Sequence, residues 1–78
     1  MALLTNTNFS NETISRPTIH KPARGTYSIL DIGGEIIFQI STYETSTREK
    51  PDSKSQAIQL DKEMAFQVYK LLQKTFGF

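Results

Sequence analysis

The pair Gly33-Gly34 constrains this chain more than any other feature, because it separates two runs of β-branched and aromatic residues, TYSILDI and EIIFQIST. A two-residue Gly-Gly loop joins antiparallel strands through a turn whose central residues both take positive φ, which glycine alone adopts at no steric cost. A loop of that length dictates the register. Ile32 faces Glu35, Asp31 faces Ile36, Leu30 faces Ile37, Ile29 faces Phe38, Ser28 faces Gln39 and Tyr27 faces Ile40. Side chains alternate between the faces of a sheet, so Tyr27, Ile29, Ile36, Phe38 and Ile40 share one face, which is expected to be the core. The other face carries Thr26, Ser28, Gln39 and Ser41, with Leu30, Ile32 and Ile37 gathered near the turn. Polar at one end and apolar at the other, it suits a binding surface or a second contact layer.

Downstream, residues 56–60 (QAIQL) read as a short strand that ends at Asp61, a good helix N-cap. From Lys62 onward Ala65, Val68, Tyr69, Leu72 and Phe76 recur at helical spacing, while Lys62, Glu63, Gln67, Lys70 and Gln73 take the opposite side. This pattern predicts an amphipathic helix of about four turns, closed by a left-handed cap at Gly77 with Phe78 folding back on Leu72. Residues 18–21, between Pro17 and Pro22, fit a further short strand. Residues 45–55 mix charges with Pro51 and contain no apolar residue, the pattern of a solvated loop. Residues 1–17 are rich in Asn, Thr and Ser without apolar period, so they are expected to be a flexible arm ahead of a single α+β domain over residues 18–78. The expected fold is a small antiparallel sheet, the hairpin plus one or two further strands, packed under one C-terminal helix.

Size then enters the argument. A chain of 78 residues and 8.9 kDa gains only a few kcal/mol from a single core. Phe66, Tyr69, Leu71, Leu72 and Phe76 on one helix exceed what a three-stranded sheet covers, so a homodimer is expected.

Composition excludes several kinds of chemistry. No Cys is present, which removes disulfides, thiolate zinc sites and cysteine nucleophiles. A single His, His20, has no Ser, Cys or carboxylate neighbour to work with, and Asp31 and Glu35 fall on opposite faces of the hairpin, so they cannot converge on one bond. Phosphate-loop, dinucleotide and hydrolase motifs are missing. The chain is therefore expected to be no enzyme, with no cofactor and no metal. Lacking both a signal peptide pattern at its start and an apolar run of about 20 residues, it is expected to be cytoplasmic, or associated with the nucleoid or nucleus, and neither secreted nor membrane-bound.

A net charge of +1 is too small for a dedicated duplex binder, yet the cations are unevenly placed. Arg16, Lys21 and Arg24 stand just ahead of the hairpin, and Arg48, Lys50 and Lys54 stand in the loop behind it. Such an arm and loop can hold phosphates while Tyr43 stacks on a base, as in single-strand binders. The leading expectation is a non-enzymatic protein acting on single-stranded nucleic acid or on transcription. The alternative is a protein-binding inhibitor or modulator of a larger complex, of the kind viral and mobile-element proteins provide, working through Leu30, Ile32 and Ile37.

From Tyr27 through Leu72 the chain resembles the transcriptional positive cofactor four family of single-stranded DNA-binding proteins, with its whirly-like architecture. The matching features are the turn Asp31-Ile32-Gly33-Gly34, the apolar strand ending at Tyr43, the hydrophilic loop, and the passage from Ile58-Gln59-Leu60 into Asp61-Lys62-Glu63. The resemblance implies a curved antiparallel sheet followed by one helix, a dimer, and single-strand binding on the sheet. Where that family carries basic and aromatic residues on the hairpin, this chain has Leu30, Ile32, Gly33, Glu35, Ser41 and Glu44, and before the last strand only Lys54 is basic.

Overall fold

A computed structural model of the chain describes residues 1–43 and 54–78, with Lys54 and Ser55 described by their backbone alone. Among the described residues four strands and one α-helix follow in order: β1 (Ala2–Leu4), β2 (Arg24–Ile32), β3 (Glu35–Tyr43), β4 (Lys54–Leu60) and α1 (Lys62–Phe76). They form one sheet of order β1-β4-β3-β2, antiparallel except where β1 runs parallel to β4. With its C-terminal helix this is an α+β fold.

The hairpin has the register that its turn demands, from Ile32 opposite Glu35 out to Arg24 opposite Tyr43. Gly33 and Gly34 have φ of 60° and 90°, and Asp31 secures the turn by accepting the Gly34 N–H on its carboxylate at 3.1 Å. On the other side of β3, Phe38 pairs with Leu60, Ile40 with Ile58 and Ser41 with Ala57, with an irregularity at Thr42/Tyr43. β4 begins two residues before the expected strand, so Lys54 and Ser55 belong to the sheet rather than to the loop; residues 44–53 lie outside the described part.

The N-terminal region corrects the expected organisation. Ala2–Leu4, assigned from sequence to a flexible arm, adds to the edge of β4, and Asn6–Asn8 make a short 3-10 turn behind it. Residues 18–21 form no strand. Proline cannot donate to a ladder, so Pro17 and Pro22 prevent pairing from extending beyond these four residues on either side.

Helix α1 has the ends that its sequence specifies. The Asp61 carboxylate accepts the Met64 N–H at 2.8 Å, and Gly77, at φ 73°, donates its N–H to the Gln73 carbonyl at 2.9 Å. Phe78 stacks on Phe76, with ring centroids 5.8 Å apart. No helix among the described residues is long and apolar enough to cross a membrane.

The position of the core is a second correction. The buried apolar residues are Ile37, Ala57, Leu60 and Met64, whereas Tyr27 and Ile29 are 70% and 68% exposed, and Ile36 and Ile40 are exposed as well. The apolar face of the hairpin is therefore not the interior of the single chain. Met64 is the buried residue of α1, and farther along it Tyr69, Leu72 and Phe76 stay exposed. A helix that engages the sheet by its first turns leaves a face three strands wide without cover.

Candidate nucleic-acid interface

Alternation along β2 and β3 places Arg24, Thr26 and Ser28 on one face with Tyr43, Ser41 and Gln39 opposite them. Gln59 and Ala57 of β4 continue the rows from Gln39 and Ser41. The result is a polar strip across three strands, running from the open end of the hairpin toward Leu30 and Ile37.

Side chains on this strip are connected. Gln59 donates its amide to the Gln39 carbonyl oxygen at 3.0 Å, and Gln39 donates to the Ser41 hydroxyl at 3.1 Å. Ser41 is buried, as is its neighbour Ala57, and the linked amides hold it in a defined orientation. Met1, Ala2 and Leu3 join Gln39, Ala57 and Gln59 in lining a cavity of about 210 Å³, so the N-terminal strand walls one side of the strip.

At the open end, the Arg24 guanidinium lies over the Tyr43 ring, 4.2 Å from its centroid. Arg24 is exposed and Tyr43 is half-buried, so the ring is held by the sheet. Lys54 opens β4 as the backbone partner of Tyr43, which puts three candidate residues, Arg24, Tyr43 and Lys54, in one row. Asp31 and Glu35 sit at the opposite end, beside the turn. The hairpin is thus polarised along its length, with Arg24 at the open end and the carboxylates of Asp31 and Glu35 at the turn.

Other candidates are dispersed. Arg16 and Lys21 are exposed in the segment before β2, which has no regular secondary structure; Arg48, Lys50 and Glu44 lie outside the described residues. For the protein-binding alternative, Ile37 is buried, Leu30 is half-buried and Ile32 is exposed, so the three do not present a common surface. Among the described residues no group of His, Cys, Asp and Glu is arranged to hold a metal ion. The amide link from Gln59 to Gln39 escaped sequence reasoning. Gln39 and Ser41 were legible as face-mates by alternation, but nothing in the sequence sets the register of β4 against β3.

Comparison with protein-family models, curated proteins and solved structures yields no match for this chain.

Proposed function

We propose that this chain is a small non-enzymatic binding protein that holds single-stranded nucleic acid along the polar strip of its sheet. The observation that carries this reading is the stacking of Arg24 on Tyr43 at 4.2 Å. Single-strand binders combine cations for the phosphates with aromatic rings for the bases. Here one contact supplies both. Gln39 and Gln59, half-buried and linked to each other, extend the strip inward with amides of the kind that hydrogen-bond sugars and base edges, while buried Ser41 anchors Gln39. Lys21, three residues ahead of β2, and Lys54, at the start of β4, add positive charge near the same end of the sheet. The resemblance of residues 27–72 to a single-stranded DNA-binding family of transcriptional cofactors supports the same reading and suggests an intracellular role in transcription. The protein-binding alternative has less support, because Ile37 is inside the chain.

Titration of a labelled single strand with the full chain at increasing salt tests this. Each phosphate contact contributes a log-log salt slope of about −0.7, so four contacts among Arg16, Lys21, Arg24, Arg48, Lys50 and Lys54 give about −3. Replacing Lys21 and Arg24 by Ala flattens the slope by about 1 to 1.5 and weakens binding to all sequences alike, because phosphates carry no base information. Absence of binding at low salt would overturn the proposal.

A further inference from the structure

One row of the polar strip crosses the whole sheet, with Ser28 beside Gln39, Gln39 beside Gln59 and Gln59 beside Leu3. Partners in register share a face, so Leu3 of β1 closes the row on the strip side while Ala2 and Leu4 turn to the other. Leu3 is 50% exposed. With Gln39, Ala57 and Gln59 it lines the cavity of about 210 Å³ between β1 and the strip, and no acidic or basic side chain takes part. An apolar wall set against neutral amides does not suit a phosphate. It suits an uncharged ring with a polar edge.

The two amides are engaged unequally. Gln39 accepts from Gln59 on Oε1 and donates from Nε2 to the buried Ser41 hydroxyl, so both of its ends are used. Gln59 gives one amide hydrogen to Gln39, and among the described residues its carbonyl oxygen and its other amide hydrogen meet no partner. A glutamine with acceptor and donor both available binds adenine in bidentate fashion, donating to N7 and accepting from the N6 amino group. Guanine offers two acceptors on that edge, and the pyrimidines have no N7. In a single strand the base can be splayed out so that this edge is open.

From these features, and resting on the reading that the strip holds a single strand, we infer that the cavity between β1 and β4 is a base slot selective for adenine. Gln59 reads the N6 and N7 edge, Leu3 covers the ring, and Gln39 is a positioning residue that holds the Gln59 amide. The slot is separate from the stacking contact. Gln39 lies four residues from Tyr43 along β3, about 13 Å at the rise of a strand, so one strand reaches the two places with different bases. Arg24 and Tyr43 hold any sequence, whereas the slot adds a preference.

Fluorescence anisotropy of the full chain with short labelled strands of dA, dC and dT provides the test. The dA strand is expected to bind tightest, by a factor of roughly 5 to 150, the worth of one bidentate base contact. A strand of 7-deazaadenine, which has C–H in place of N7, loses most of that margin. Gln59→Leu loses it as well and does not tell adenine from 7-deazaadenine, while Arg24→Ala weakens all strands alike and keeps the margin. Equal affinity of the wild type for dA, dC and dT overturns the slot and leaves the single-strand reading standing, and so does a margin that survives in folded Gln59→Leu. Should Gln59→Leu fail to fold, the wild-type comparison of adenine with 7-deazaadenine decides: a loss supports the slot and equal affinity overturns it. Binding to no strand at all overturns the single-strand reading and the slot together.

Discussion

Arg24 and Tyr43 are partners in the β2/β3 register, and the guanidinium lies 4.2 Å from the centre of the ring. The pair is the last rung of the hairpin, and Arg24 stands nine residues before Gly33. A contact of this kind at an exposed site contributes about 0.5 to 1 kcal/mol. Tyr43→Ala is therefore expected to leave the fold nearly as stable as before. If the ring stacks on a base, the same variant loses about 1 to 3 kcal/mol of single-strand affinity, a factor of roughly 5 to 150. Fluorescence anisotropy against a labelled oligonucleotide, beside a thermal melt, separates the two effects.

The turn makes a prediction of its own. With Gly33 at φ 60° and Gly34 at φ 90°, replacing both by Val forces two β-branched residues into left-handed backbone. The expected cost is about 2 kcal/mol or more, or a fall in melting temperature of about 10 °C for a domain of this size. No atom outside the turn approaches the position of an added Cβ, so the cost arises from backbone conformation and not from a clash. An unchanged melt would refute this account of the turn.

Asp61→Ala removes the acceptor of the Met64 N–H and is expected to lower stability by about 1 kcal/mol. Asp61→Asn keeps a capping oxygen and should recover most of that loss. Urea midpoints at constant m-value provide the comparison.

Met64 is fully buried, with 0% of its surface exposed, in the first turn of the helix. Truncation to Ala is expected to cost about 2 to 5 kcal/mol, enough to unfold most of a small domain at room temperature. Far-UV circular dichroism would show the loss. Lys70→Ala, which removes the exposed cation 5.8 Å over the Phe66 ring, should change the melt by much less.

The hairpin and the helix were legible because each is specified by residues adjacent in sequence. Gly33-Gly34 permits one turn and therefore one register, and Asp61 and Gly77 mark the helix ends by their own backbone chemistry. Strand β1 was not legible. Ala2–Leu4 is too short for a period to show, and it is a strand only because β4 presents an edge to it. The side on which the core lies was misread for a related reason: alternation reports which residues share a face, not what covers that face. Ile37, grouped by sequence with a binding surface, is interior, and Ile29, grouped with the core, is not. Within the candidate site, Arg24 and Tyr43 follow from the hairpin register, whereas the link between Gln39 and Gln59 joins residues twenty apart across a connection whose length sets no register.

Strand β2 has a consequence for how this chain fails. At nine residues it forms one border of the sheet, and its charged residues, Arg24 and Asp31, stand near its two ends with an uncharged stretch between them. Proteins usually guard so long a border with a central lysine, a proline or a bulge, because a bare rim recruits the backbone of other molecules. Addition at such a rim does not close on itself: it lengthens with every arriving chain toward a fibre. On concentration the expected end product is therefore an elongated aggregate, visible as thioflavin-positive filaments.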